Sequence, residues 1–297
     1  MARRSFLCMI WLVSLVLLFF TSCKDGRNNG LPASTGQPFE VVLEGDTDSV
    51  VTKVLLANVP GLPQEEPRFQ VIRIRKGKGG SLYRSIRNRI IVDVDGRNAG
   101  YEVRVSKNIE VSPQLVVRIK AQTMEQLKSR LDGEKLCEML DESELKHLAS
   151  IIKPNVDKQK KVKRLFGINM KIPFDMQSSK QGKDFLWLSN NANTGMQSLL
   201  VFKASNKVAI DSVLKVNMVG ETDAMYMQLA SVSYNKTLRN SLRGLWEMKG
   251  DAMGGPYVMK FVPRGKERLV VMGFVYAPEM KKRNLIKQLE AVLTTIK

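Results

Sequence analysis

The sequence predicts an α+β fold made of two halves, each with a mostly antiparallel sheet covered by helices. Short runs with strand periodicity alternate with longer runs of helical periodicity, and each half ends in a helical run. Pro154 interrupts the pattern between the halves. We therefore assign an N-terminal α+β domain to residues 39–153 and a C-terminal α+β domain to residues 154–297. The hydrophobic fraction of 43% is sufficient for a folded core.

In the first half, polar residues suited to helix starts precede two of the helical runs. Asp46 or Asp48 and, later, Thr123 carry short side chains that accept bonds from free N–H groups of a first turn. The predicted strands are 39–43, 69–75, 90–94, 101–105 and 115–119, and the predicted helices are 46–57, 121–130 and 134–152.

The second half begins with a short basic amphipathic helix at 156–166, which Gly167 is suited to end. Two interpretations are open: the helix lies on an anionic membrane, or its apolar stripe packs on the second domain. We prefer packing, because the stripe has no Trp and few large apolar residues.

The pattern in the remainder of the second half predicts an antiparallel meander followed by a helix. Its last segment, 281–296, has the clearest amphipathic pattern in the chain. The predicted strands are 184–188, 198–203, 226–234, 238–248, 257–262 and 269–276, with a helix at 209–216.

The N-terminus has the pattern of a lipoprotein signal. Arg3 and Arg4 precede an apolar run of roughly 15 residues, shorter than the about 20 that span a membrane. Small residues, Thr21 and Ser22, then precede Cys23. We predict a signal peptide at 1–22, an acylated Cys23 that binds the lipid bilayer, and a flexible tether at 23–38. The alternative is a plain secretory signal with an incidental cysteine.

The net charge of +18, or +16 without the two signal arginines, favours anionic partners. In an envelope these are lipid head groups, lipopolysaccharide phosphates or cell-wall polymers. An exported chain rarely meets nucleic acid, so we expect no nucleic-acid partner. A well-solvated basic surface is the simpler alternative. Cys137 is the one thiol left after Cys8 and Cys23, and its apolar helical context indicates a buried residue.

Sets of catalytic or metal-binding residues are missing from the sequence. The single histidine, His147, excludes a histidine-rich metal site and a second-histidine relay. We therefore predict no catalytic residues, metal or cofactor. The Gly-rich basic loop at 75–81 lacks the spacing of a phosphate-binding loop and is interpreted as a flexible turn.

The segment 243–257 is the densest candidate for ligand binding. A Trp, two acids, two bases and four glycines fall between two predicted strands, which is suited to a small pocket. The equally weighted alternative is that the glycines form plain turns. The candidate ligand-binding residues are Arg243, Trp246, Glu247, Lys249 and Asp251.

The run 244–257, with the stretches 59–67, 182–187 and 273–285, resembles a family of Bacteroidetes envelope lipoproteins, domain of unknown function 4837. The resemblance extends from about Phe39 to Lys297. It implies a lipoprotein of the cell envelope, at the outer membrane and facing the periplasm or the cell surface. It implies no activity, ligand or catalytic residue.

Three functional hypotheses follow from the sequence. The leading one is a non-enzymatic envelope lipoprotein that binds an envelope protein or a cell-wall polymer through the surface around Trp246 and Asp251. The alternative is a cell-wall glycan hydrolase or transferase that uses Glu247 and Asp251 as acid and base. The third is an assembly or scaffold protein with an exposed apolar patch on one sheet face.

Overall fold

The computed structural model describes residues 30–297 except 223, 236, 237, 265 and 266. The predicted signal peptide, 1–22, and Cys23 lie outside the described residues. The α+β class is confirmed, because helices cover two separate sheets. Of the eleven strand pairings in the described part of the chain, eight are antiparallel.

The three parallel pairings all lie in the first sheet. Its strand order is β2-β1-β3-β5-β4, and β4 is the one antiparallel member. The expectation of mostly antiparallel pairing is therefore corrected for this sheet. The sequence does not reveal the direction, since the helices between β1 and β2 and between β2 and β3 are very short, whereas parallel strands usually have long crossover helices. The strands are β1 (Glu40–Glu44), β2 (Gln70–Ile74), β3 (Asn88–Val94), β4 (Glu102–Lys107) and β5 (Leu115–Ala121), and the crossover helices are α1 (Val50–Leu55) and α2 (Ser81–Arg84).

Helices cover one face of the first sheet. Helix α1 packs there with α3 (Met124–Arg130) and α4 (Gly133–Ile151). Thr123 and Asp132 begin α3 and α4 by accepting N–H bonds with their side chains. The basic loop at 75–81, which follows β2, is attached to β1. The Gly77 N–H donates a hydrogen bond to the Glu44 carboxylate at 2.7 Å.

Part of the predicted tether is attached to the first sheet. The Ser34 N–H donates to the Ser112 carbonyl at 3.2 Å, and the Thr35 N–H donates to the Ser85 carbonyl at 2.9 Å. The prediction of a free tether is thereby corrected for these residues. Their partners are about fifty to eighty residues distant along the chain, so a local polar composition typical of linkers gave no sign of them.

The second sheet is antiparallel throughout, as the meander pattern predicts. Its strand order is β10-β11-β12-β13-β8-β7-β6, and β9 pairs with the remaining part of the β11 edge. Its strands are β6 (Ser178–Gly182), β7 (Phe185–Ser189), β8 (Met196–Lys203), β9 (Tyr226–Leu229), β10 (Ser233–Tyr234), β11 (Ser241–Lys249), β12 (Gly254–Arg264) and β13 (Glu267–Tyr276).

Helices pack on both faces of the second sheet. Helix α5 (Val156–Phe166) and helix α7 (Arg283–Thr294) cover one face, and α6 (Lys207–Asn217) covers the other. Val162 and Phe166 of α5 are buried in this core, which confirms the packing interpretation of the basic helix.

Helix α7 is buried from two directions. Its Leu289 packs in the core of the second sheet, whereas Ala291 packs in the core of the first. Helix α4 is its neighbour on the first-sheet side. The two sheets therefore share α7 as a common inner layer.

The close approach of α7 to the second sheet can be tested by substitution of Gly273. A Cβ atom at this position would lie 2.9 Å from the Leu289 Cβ, so we expect Gly273→Ala to lower the free energy of unfolding by about 1–3 kcal/mol. Gly96→Ala is the control, because a Cβ there meets no atom within 4 Å. Denaturant unfolding measures both, and equal stabilities would contradict the close packing.

Candidate functional site

Trp246, the centre of the predicted ligand-binding segment, is a core residue. It is 3% exposed, its indole N–H donates to the Val275 carbonyl at 3.1 Å, and its ring meets Phe274 edge-on. Gly255 makes room for it: a Cβ there would lie 2.0 Å from the Val275 oxygen and 3.2 Å from the indole nitrogen. The Trp-glycine pattern of the sequence therefore reflects close packing.

Arg243 points to the opposite face of the same sheet. Its guanidinium is bonded to the Glu290 carboxylate of α7 and lies 3.4 Å from the Pro60 carbonyl. Strand periodicity explains the separation, since residues three apart on a strand project from opposite faces. Arg243 and Trp246 therefore do not share a pocket.

The remaining candidates lie at the exposed end of the β11–β12 hairpin. The Gln228 amide donates to Glu247 at 2.6 Å, and the Lys249 ammonium lies 5.3 Å from the centre of the Tyr226 ring. Asp251 belongs to the turn, where its N–H donates to the Met248 carbonyl at 3.1 Å. The predicted cluster is therefore divided among the core, the interface with α7 and the hairpin end.

The structure instead reveals a series of paired charges between the two halves, largely buried except at its outer end, Glu134. Arg68 lies 3.0 Å from Glu134 and 3.2 Å from Asp141, all from the first half. Lys287 of α7 lies 3.1 Å from both Asp141 and Glu290, and Glu290 pairs with Arg243. We call this series the ion chain; in order, its members are Glu134, Arg68, Asp141, Lys287, Glu290 and Arg243. The signs alternate, so each inner charge has an opposite charge on both sides.

Burial dominates the electrostatics of this ion chain. Loss of hydration lowers the pKa of Lys287 to about 8, although the Asp141 carboxylate opposes the shift. Burial likewise lowers the pKa of Arg243 to about 10. These cations are inaccessible to ligands, because the side chain of Lys287 is 2% exposed and that of Arg243 is 10% exposed.

A second connection is made at the start of α7. The backbone N–H groups of Lys282 and Arg283 donate to the Glu66 carboxylate at 2.6 and 3.1 Å. A carboxylate at a helix N-terminus satisfies free N–H groups and favours the helix dipole. Glu66 therefore caps a helix of the other half of the chain.

Three of the four sequence stretches that carry the family resemblance meet here. The stretch 59–67 supplies Glu66 and Pro60, and 273–285 supplies Lys282 and Arg283. The run 244–257 begins at Gly244, whose Cα lies 3.5 Å from a Cβ built on Gly61. These stretches thus build the junction between the halves.

The carboxyl ends of the parallel strands form a crevice that the sequence analysis did not predict. In open sheets with parallel strands, ligands bind where strand order reverses, which here lies between β1 and β3. The crevice has a volume of about 600 Å³. A separate cavity of about 620 Å³ lies beside α6. The crevice is lined by Gly45, Asp46, Thr47, Arg73, Arg75 and Lys76, among others.

The polar groups of this crevice are largely satisfied by one another. The Asp46 carboxylate accepts bonds from the Thr52 N–H at 2.8 Å and the Thr52 hydroxyl at 2.7 Å. Arg73 donates to the Asp46 carbonyl at 2.7 Å, and Lys76 pairs with Asp93. Asp46 is thus held at the start of α1, and Arg73 and Lys76 each have a partner within the protein.

Cys137 and the possible metal ligands of the described residues were the other candidates for chemistry. Cys137 is buried, as predicted; burial raises the pKa of its thiol to about 11, and its sulfur lies 3.8 Å from the Val54 carbonyl. In the described part of the chain, no three His, Cys, Asp or Glu side chains are grouped to hold a metal ion. Among the described residues, none of the helices has both the length and the hydropathy of a membrane-spanning segment.

Residues 155–295 match the family model of a domain of unknown function, DUF4837. Residues 34–153 match a second model, that of a domain of unknown function, DUF8532. The chain therefore carries domains of unknown function. The resemblance to DUF4837 is supported over the second half of the chain, whereas the first half matches a different model.

One solved structure is similar over part of the chain. It is a crystal structure at 1.50 Å resolution from Bacteroides thetaiotaomicron VPI-5482, with 18% sequence identity and a TM-score of 0.25. The match covers 44% of this chain and 44% of the other, so it spans less than half of that protein. None of the curated proteins matches the chain.

Arg243→Met should strongly destabilise the protein, because it removes one of the two cations that pair with the buried Glu290 carboxylate and leaves the ion chain with an excess negative charge. We expect the free energy of unfolding to fall by about 3–5 kcal/mol, and addition of Glu290→Met to recover part of the loss. Lys207→Met is the control, since it removes an exposed pair with Asp211 and should cost less than about 1 kcal/mol. Equal losses in the two single variants, measured in urea, would contradict a buried ion chain.

His147 should make the protein less stable in mild acid. Burial and the nearby Arg87 lower its pKa, with Glu144 opposing, so the folded state binds fewer protons than the unfolded state just below about pH 6.5. The free energy of unfolding should therefore fall more between about pH 7.5 and about pH 5 in the parent than in His147→Gln. Urea titrations at both pH values test this, and a greater acid loss in the variant would refute it.

Proposed function

We propose that this chain is a lipid-anchored binding module of the cell envelope, attached through acylated Cys23. The observation that carries the proposal is the N-terminal order of Arg3 and Arg4, an apolar run, and Thr21-Ser22-Cys23. Two acyl chains hold a protein stably to a bilayer, whereas one chain gives marginal binding. We place the protein at the outer membrane, on its periplasmic or surface face.

The junction between the halves supports a role in binding. Residues from both halves form the ion chain and the Glu66 cap, so the two sheets present their surfaces as one connected body. A body of this kind offers a partner a preformed surface and limits the entropy lost on binding. The partner we propose is an envelope protein or a cell-wall polymer.

Glycan hydrolysis is less well supported by the geometry. That mechanism uses two carboxylates facing each other across the substrate. Glu247 is bonded to Gln228 beside a sheet edge, and Asp251 lies in the hairpin turn. Neither side chain lines the crevice at β1 or the cavity beside α6. We therefore favour binding over catalysis at this hairpin.

Cys23→Ala should abolish acylation of the full chain in a bacterial host. Metabolic labelling with a clickable palmitate analogue measures the modification, and membrane fractionation measures its consequence. Cys137→Ala is the matched control and should keep the label, because Cys137 is buried. Labelling of Cys23→Ala at the level of the parent would refute the proposed anchor.

A further inference from the structure

The outward surface of α5 is strongly basic. Lys158 and Lys161 both reach the Ser179 hydroxyl, at 3.1 and 3.4 Å, which places β6 and its exposed Lys180 beside the helix. In this cluster, Asp157 is the one acidic residue of α5 and β6. We call the following six cations the basic face: Lys158, Lys160, Lys161, Lys163, Arg164 and Lys180.

Packing of α5 fixes which cations face solvent. Val162 and Phe166 are buried against the second sheet, so the opposite side of the helix is turned outward. Three cations are exposed on that side: Lys160, Lys163 and Arg164. They lie together because residues three and four apart on a helix are neighbours. The six cations of the basic face form no ion pair within the part of the chain that the structure describes.

Exposed apolar side chains adjoin the N-terminal end of the basic face. Phe174 is 64% exposed and Ile151 is 58% exposed, and both line one groove beside α7. The Phe174 N–H donates to the Lys153 carbonyl at 2.9 Å, which holds it next to the start of α5. Val156, one turn before Lys160, is 52% exposed. The surface thus combines cations with large apolar side chains that water does not favour.

This combination is suited to a membrane surface. Each Lys or Arg near an anionic bilayer adds to the attraction, and apolar side chains gain by entering the head-group boundary. The cations extend along a helix of eleven residues, about 16 Å long, and do not converge on a cavity. An extended row of charge fits a planar array of phosphates better than one small anion.

We propose that the basic face docks on the surface of an anionic phospholipid bilayer, with Phe174 and Ile151 entering the head-group region. This docking deepens the proposed function, because it would orient the anchored protein and add a second attachment to Cys23. Docking does not require acylation. A chain of residues 24–297, which contains every described element, therefore tests docking separately from the anchor.

The test is co-sedimentation of this chain with vesicles of phosphatidylcholine, with and without phosphatidylglycerol. We expect binding to the anionic vesicles that weakens as salt is added. Lys160→Glu/Lys163→Glu/Arg164→Glu should weaken this binding at least about tenfold. Phe174→Ala should weaken it by a smaller factor and leave the salt dependence unchanged, since it removes apolar contact only.

The matched control reverses three exposed cations of the first sheet, Lys107→Glu/Arg118→Glu/Lys120→Glu. It makes the same change in net charge and should leave most binding intact. Equal losses in the two triple variants, or equal binding of the parent to neutral vesicles, would overturn the proposal. Binding of the parent to soluble heparin without binding to anionic vesicles would also overturn it.

Circular dichroism and thermal unfolding accompany each measurement. Lys160→Gln/Lys163→Gln/Arg164→Gln is the second variant, because Gln keeps a good helix former at all three positions. It should fold as the parent does and still bind anionic vesicles more weakly. A folded Gln variant with unchanged vesicle affinity refutes docking through this face.

Discussion

Lys287 lies at the centre of the structure, with its ammonium between Asp141 of the first half and Glu290 of its own helix. A buried ammonium is costly unless opposite charges and bonds surround it. Its position therefore depends on α4 and α7 lying side by side. The same helix supports the second sheet through Leu289, so its placement decides how the halves meet.

Such an ion chain contributes more to the choice of arrangement than to total stability. Hydrophobic residues of similar volume often replace buried pairs without loss, whereas removal of one partner is costly. We infer that the alternating charges, with the Glu66 cap on α7, select one way of joining the two sheets. Three of the four stretches that resemble the family contribute residues to this junction.

The surfaces available to partners lie away from this junction. The hairpin end beyond Trp246 exposes Glu247, Lys249 and Asp251, and the basic face of α5 is turned to solvent. The two surfaces differ in chemistry, because the first has charges of both signs and the second has cations beside exposed apolar groups. The membrane docking and the envelope partner that we propose would therefore use separate surfaces.

Local patterns in the sequence determined the α+β class, the antiparallel meander, the amphipathic helices and the buried environment of Cys137. They succeeded because periodicity and capping depend on neighbours a few residues apart. Tertiary structure alone decided the parallel strands of the first sheet, the attachment of Ser34 and Thr35, and the burial of Arg243. Arg243 and Trp246 looked like one site because they are close in sequence, but a strand projects them to opposite faces. The charges that join the halves come from residues as far apart as Arg68 and Lys287, and no pattern along the chain encodes a contact over that separation.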